Sequence, residues 1–246
     1  MKIILCGACG KMGRAVTELS LERGEEIVYG VDVAPAPMPY PVGALEKAPA
    51  ADVLIDFSSH EGVEKRLAWC AERKLPALLA ATGYSKEELA AIESYKDKIP
   101  LFQSSNLSIG VNLLQLLVKK AASALEGFDA EIIERHHNQK KDAPSGTALM
   151  LARSVEEGAK EQNQRIYGRH GVGQSRKRGE IGIHAVRGGS IVGEHEVMFA
   201  GEDEIVTLSH SARSRRVFAS GALRAAAWLV HQPAGLYNMD DLLKNI

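Results

Sequence analysis

KIILCGACGKMGRAV, residues 2–16, decides the fold. Four apolar or aliphatic positions run into a glycine-rich turn, and an amphipathic pattern opens directly behind it. A strand that enters a helix this way presents backbone N–H groups and the positive end of the helix dipole at the turn, where phosphate binds. The spacing is Gly7-x-x-Gly10-x-x-Gly13. Cys9 and Met12 therefore stand where the G-x-G-x-x-G pattern has its second and third glycines. Read in isolation, the same letters would also serve a tight turn with no ligand.

The neighbouring sequence favours the ligand. Further β-branched runs at 27–31, 53–57, 77–80 and 101–103 alternate with helical patterns at 12–22, 62–74 and 85–94, as βαβ units around a parallel sheet do. IILC, VLIDF and ALLA are apolar on both faces, which suits a sheet covered by helices on both sides. Five prolines between Pro35 and Pro49 make a loop. Asp32 ends the second run, placed to accept hydrogen bonds from the hydroxyls of an adenine ribose. No arginine follows it, so NADH is favoured over NADPH. Lys11 and Arg14 at the loop mouth leave room for the phosphorylated cofactor. The strand ends Asp56–Ser59 and Ala80–Gly83, and the stretch 103–110, add small polar residues to the same crevice.

After Asn106 the pattern changes. SIGVNLLQLLVKKAASALEG reads as one long helix with Leu113, Leu116, Leu117 and Ala121 on its apolar face. AEIIER is a strand, a second helix spans 147–161, and 180–211 alternates with period two, with Gly188-Gly189 and Gly201-Glu202-Asp203 as turns between antiparallel strands. RVFASGALRAAAWLVHQ returns to an amphipathic helix expected to pack back on the first part of the chain. The expected fold class is α/β: a Rossmann-like dinucleotide-binding domain at 1–107 plus 217–246, discontinuous, with an inserted α+β domain at 108–216 carrying an open, mostly antiparallel sheet.

Bulk properties narrow the function. A chain of 246 residues buries roughly 70 to 75% of its unfolded surface. A net charge of −1 argues against nucleic acid or an anionic membrane as the main partner. The basic run at 169–180 lacks interleaved aromatics and reads as a solvated or site-flanking loop. The first residues are too short an apolar stretch for a leader or a spanning helix, so a cytoplasmic location is expected. Cys6, Cys9 and Cys70 read as reduced thiols.

ERHHNQKKDAPSGTA, residues 134–148, concentrates proton carriers and anion-seeking groups. Adjacent His136 and His137 on a strand point apart, which disfavours a shared metal, and none is expected. Histidines satisfied within a core are the plain alternative. Lys140 and the amides of Ser145-Gly146-Thr147 at a helix start make a carboxylate site, beside which a histidine can move a proton near neutral pH.

His136, His137, Lys140, Asp142, Ala143, Pro144, Ser145, Gly146, Thr147 and Ala148 fill every fixed position of H-H-x-x-K-x-D-A-P-S-G-T-A, and the chain resembles the dihydrodipicolinate reductase family. The likeness extends through GxxGxMGR, DFSSHEG, ATGYS, SSNLSIGVN, IGIHAVRGGSIVGEH and GLYNMDDLL. It departs at Cys9, where many relatives have glycine. The resemblance implies hydride transfer from NADH or NADPH to a cyclic imine dicarboxylate derived from 4-hydroxy-tetrahydrodipicolinate, giving tetrahydrodipicolinate in diaminopimelate and lysine biosynthesis. By motif position, His136 is a proton donor or acceptor and Lys140 a second donor that pairs with a carboxylate. His137, Ser145, Gly146 and Thr147 contact substrate. The cofactor falls to Gly7, Ala8, Cys9, Gly10, Lys11, Met12, Asp32, Phe57, Ser58, Ala80, Ala81, Thr82, Ser104, Ser105, Asn106 and Leu107. Family members are usually homotetramers joined through the inserted sheet. A dinucleotide-sensing module without turnover, or a reductase of another small imino or keto acid, are the other readings.

Overall fold

The computed structural model describes residues 1–173 and 175–244. Gln174, inside the basic run, and the last two positions of the expected 217–246 segment lie outside the described residues. Two compact units form, Met1–Ile109 with Arg215–Ile246, and Gly110–Ser214.

The first unit begins with β1 (Lys2–Cys6), α1 (Lys11–Arg23), β2 (Glu26–Val31), β3 (Val42–Gly43), β4 (Val53–Asp56), α2 (Val63–Glu72), β5 (Ala77–Leu79), α3 (Lys86–Ser94) and β6 (Pro100–Gln103). β1, β4 and β5 are buried almost throughout, as strands with helices on both faces must be. α1 stops at Gly24, which takes the left-handed conformation and bonds back to Leu21 and Ser20. Ser85 and Glu88 form a reciprocal capping box that starts α3. Only β3 and a short turn of 3-10 helix at Leu45–Lys47 interrupt the proline loop.

The second unit contains α4 (Ile109–Ala124), whose first residue closes the first unit, then β7 (Asp129–His136), α5 (Gly146–Gly158), β8 (Gln164–Tyr167), β9 (Glu180–Arg187), β10 (Gly193–Ala200) and β11 (Ile205–Ala212). Its sheet is mixed, with order β11-β10-β7-β9-β8. β7 pairs antiparallel with β10 and parallel with β9. The expectation of a mostly antiparallel sheet is thus corrected: β9 and β10 are not hairpin partners, because β7 lies between them. Gly188-Gly189 instead turns against the end of β7, with Gly188 N donating to His136 O and Asn138 N to Gly189 O. The turn at Gly201–Asp203 does join antiparallel neighbours, β10 and β11.

The buried face of α4 also differs from expectation. Val111, Leu114, Val118 and Ala122 face inward, whereas Leu113, Leu116 and Leu117 are 47%, 39% and 47% exposed. This helix is apolar on nearly every side, so spacing alone fits either stripe. Close approach decides it: a Cβ on Gly158 would lie 2.2 Å from Lys119 O and 2.8 Å from Ala122 Cβ. The end of α5 therefore sits against the stretch of α4 that carries Ala122.

The chain then returns through α6 (Arg216–Leu229), β12 (Gly235–Tyr237) and α7 (Met239–Leu243). Ala219, Ala222, Leu223, Ala226 and Leu229 of α6 join one core with Ile3, Leu5, Val53, Ile55 and Phe102 of the sheet. β12 pairs parallel with β6 and completes the order β12-β6-β5-β4-β1-β2-β3, every pairing parallel. No helix among the described residues is long and apolar enough to cross a membrane.

Candidate active site

The glycine turn is built by exclusion of side chains. Gly7 takes φ +74°, donates to Val31 O at 2.8 Å, and a Cβ there would meet Phe57 O at 2.7 Å. Gly13 supports the closest packing, since its Cβ would lie 2.3 Å from Gly7 O. Gly10 is the N-cap residue of α1. Cys9 does not crowd the turn, because its Sγ accepts from Ala36 N at 3.3 Å and so leans toward the proline loop. Asp32 accepts from Cys9 N at 2.8 Å and Ala34 N at 3.0 Å. Its carboxylate braces the turn and still has lone pairs to offer a ribose.

A cavity of about 420 Å³ opens beside this turn, lined by Lys11, Met12, Phe57, Ala80, Ser104, Ser105, Leu107, Arg215 and Phe218. Next to Phe57, Asp56 is fully buried; it accepts from Ser58 N at 2.9 Å and Ser58 Oγ at 2.5 Å and pairs with Arg66 Nε at 2.7 Å. Ala8 and Ala81 are buried, and Thr82 is exposed. Ser104 Oγ donates to Asn106 O at 2.8 Å, and buried Asn106 Oδ1 accepts from Ser108 N, which shapes the end of β6. Arg215 and Phe218 went unread in the sequence; they come from the far end of the chain, and nothing local in SRRVF marks them. The arrangement suits a dinucleotide: a cradle that any Cβ at Gly7 would fill, two cations at the cavity, and an acceptor at the end of β2.

In the second unit β7 alternates inward and outward, so Ala130, Ile132, Glu134 and His136 share the buried face. Glu134 is fully buried and receives His136 Nδ1 at 2.6 Å, Ser145 N at 2.9 Å and Arg187 at 2.8 and 2.7 Å. Burial pushes the Glu134 carboxyl up, but bonds from Arg187, His136 and Ser145 outweigh this and hold it below the ordinary range. Burial lowers His136 from the usual histidine value, and Glu134 restores only part of the loss. The Nε2 of His136 has no hydrogen-bond partner among the described residues. A Cβ on Gly193 would come within 3.1 Å of it.

Ser145 caps α5, its Oγ accepting from Ala148 N at 3.2 Å and bonding His195 Nε2 at 3.0 Å. The His195 ring meets that of His136 edge-on at 5.1 Å. Burial, then the neighbouring His136, bring His195 down to about 4, so it is neutral near pH 7. Lys140 pairs with exposed Asp142 at 2.9 Å. His137 lies past the strand end, half-buried, and a Cβ at Gly146 would meet nothing within 4 Å. The helix start at Gly146 is thus open in front of the positive end of the α5 dipole. Glu134, Arg187 and His195 were missed as site residues; the first carries a motif-adjacent signal, the other two are remote in sequence. No three His, Cys, Asp or Glu side chains among the described residues converge as metal ligands.

The basic run folds onto acids of its own unit. Arg176 pairs with Asp129 at 2.6 Å and Glu131 at 3.1 Å, Arg169 with Glu180 at 2.9 Å, and Arg178 with Glu161 at 2.8 Å. Arg176 and Arg169 thus pair with acids at the starts of β7 and β9, two inner strands of the sheet.

A parallel sheet with a glycine turn, and a second unit that carries a buried histidine beside a helix start, agree with the class that the relatives share, an NAD(P)H-dependent oxidoreductase. The profiles "Dihydrodipicolinate reductase, N-terminus" and "Dihydrodipicolinate reductase, C-terminus" match residues 1–107 and 110–243. The chain belongs to the dihydrodipicolinate reductase family. It is 51% identical to the 4-hydroxy-tetrahydrodipicolinate reductase of Caldanaerobacter subterraneus subsp. tengcongensis, over 99% of this chain and 98% of the relative. It is 46% identical to the protein of that name from Clostridium tetani, over 100% and 98%. Among solved structures, dipicolinate-bound dihydrodipicolinate reductase from Paenisporosarcina sp. TG-14 matches with a TM-score of 0.81, 26% identity and 97% coverage of both chains.

Proposed function

We propose that this protein is a 4-hydroxy-tetrahydrodipicolinate reductase, adding a hydride and a proton to a cyclic imine dicarboxylate to give tetrahydrodipicolinate, a step of diaminopimelate and lysine biosynthesis. What supports the reading is the fold of residues 134–148, in which the end of β7 carries His136 bonded to Glu134, the turn carries Lys140, and α5 starts at Gly146 behind its Ser145 cap. The solved relative bound to dipicolinate, a planar dicarboxylate, supports the substrate class.

NAD(P)H, when bound, supplies the hydride. Gly7 to Met12 would hold its pyrophosphate at the start of α1, and Asp32 the adenine ribose. Phe57, Ser58, Ala80, Ala81, Thr82 and Ser104 to Leu107 would border the rest. On the second unit, Lys140 leaves Asp142 for a substrate carboxylate, while the amides of Gly146 and Thr147 take the other. Charge-assisted bonds of this kind are about twice as strong as neutral ones. His137 contacts the substrate, and Ser145 fixes the helix start. His136, once it has taken a second proton at Nε2, delivers that proton to the reduced ring and returns to the neutral form.

NADH oxidation, followed by its absorbance with freshly generated substrate, tests the reading. Turnover is expected, and dinucleotide binding without turnover would instead identify a sensing module. Because a carboxylate at Asp32 favours a ribose hydroxyl over a 2′-phosphate, NADH is the preferred cofactor. Asp32→Ala is expected to raise the KM for NADH and improve the relative use of NADPH; equal losses for both would reject the ribose role.

The second unit serves as the substrate-binding and oligomerisation domain. β11 leaves one edge of its sheet unpaired within the chain, and a homotetramer would cover it. Sedimentation equilibrium is expected to give the mass of four chains. Three free cysteines, two of them buried, suit a reducing cytoplasm.

A further inference from the structure

His136 is useful only if the right nitrogen faces the substrate, and the sequence motif does not specify which. In a neutral imidazole one nitrogen donates and the other accepts, and the partner of one determines the other. Here Glu134, two residues back on the same face of β7, accepts at Nδ1. A carboxylate can only accept, so the ring proton belongs on Nδ1 and the Nε2 lone pair is left toward the space beside Gly193.

Glu134 is in turn over-determined. The fork of Arg187 grips both its oxygens at 2.8 and 2.7 Å, and Ser145 N binds Oε1 at 2.9 Å. Arg187 stands directly across from His136 in the β7–β9 register and also donates to Asp142 O at 2.7 Å. One buried carboxylate therefore ties together the histidine, the turn that carries Lys140, and the start of α5. The groups facing His136 are Glu134 on its own strand, Lys140 from the turn, Arg187 from β9 and His195 from β10. Among the described residues, only Glu134 is hydrogen-bonded to the His136 ring.

Resting on the functional reading above, we propose that Glu134 is the positioning residue of this reductase, fixing His136 as the Nδ1–H tautomer with Nε2 open to substrate, and that Arg187 holds Glu134 ionised for that task. Glu134→Gln discriminates sharply. Its amide oxygen can still accept from Arg187 and Ser145 N, but its NH₂ donates to Nδ1 and so moves the ring proton to Nε2. The neutral ring can then no longer take a proton at Nε2.

The test combines nitrogen-15 NMR of histidine-labelled protein with steady-state kinetics, the His136 signals being assigned by their loss in His136→Gln. Wild type is expected to show a protonated Nδ1 and a pyridine-like Nε2, and Glu134→Gln the reverse. Its kcat should fall about 10²-fold or more, as when an acidic orienting partner of a catalytic histidine is replaced by an amide. KM for the dicarboxylate should change little, the pH profile should shift, and Glu134→Asp should recover part of the rate. An Nε2–H tautomer in wild type overturns the proposal, with no variant needing to fold. A Glu134→Gln protein of native melting temperature with unchanged kcat and pH profile also overturns it. Full turnover in His136→Gln would sink the functional role of His136 instead, leaving the tautomer assignment standing.

Discussion

Lys140→Ala is expected to lower kcat/KM for the imine dicarboxylate by about 10³- to 10⁴-fold, with most of the loss in kcat. Lys140 sits in the turn between β7 and α5, and its ammonium is held at 2.9 Å by an Asp142 side chain that is 59% exposed. A pair so open to water is worth little, so transferring Lys140 from Asp142 to a substrate carboxylate costs almost nothing. Alanine removes a charge-assisted bond to that carboxylate and a second proton carrier together. The turn itself should survive, because Lys140 N bonds to His137 O through backbone alone. Steady-state kinetics with saturating NADH, beside a thermal melt, decides the matter. A loss below about tenfold would remove Lys140 from the site.

His136→Gln is expected to cost about 10²- to 10³-fold in kcat and to leave dinucleotide affinity nearly unchanged. The proposed cofactor residues all belong to the other unit, so collapse of NADH binding would contradict the division of labour. The pH dependence has a definite sign. Burial, only partly offset by Glu134, lowers His136 below the ordinary histidine value. A donor must be protonated to act, so kcat/KM should be highest on the acid side and fall as pH rises through a value under about 6.5. His136→Gln should flatten that limb. If the limb persists in the variant, the proton comes from another group, and Lys140 is the first candidate.

Much of this was legible in the sequence, because its strongest signals are local. IILC, VLIDF and ALLA announce doubly covered strands, and Gly7 to Gly13 announce the turn. Residues 136–148 gather two histidines, two lysines and a helix start within thirteen positions. What escaped depends on contacts between distant segments. Arg187 bonds Glu134 from 53 positions away, and His195 reaches Ser145 from 50. Arg215 lines the cavity beside a glycine turn some two hundred residues earlier. The pairing of β7 between β9 and β10 was equally invisible, since alternation tells which face a residue takes but not which strand lies beside it. GLY at β12 is too short for any periodicity. On α4, Leu113 and Leu114 are interchangeable to a pattern count, and only the glycine at the end of α5 distinguishes them.

The return of the chain into its first sheet has a consequence for the nascent protein. Nearly half the buried side chains of one core of that unit, from Ala219 to Leu242, come from the final segment, as does the edge strand β12. Ribosomal synthesis is vectorial, and contiguous stretches are finished first. Gly110–Ser214 has all its residues in hand while the earlier unit still waits for its closing helix. The half that is translated first is therefore completed last, and no truncated product can hold a finished dinucleotide fold.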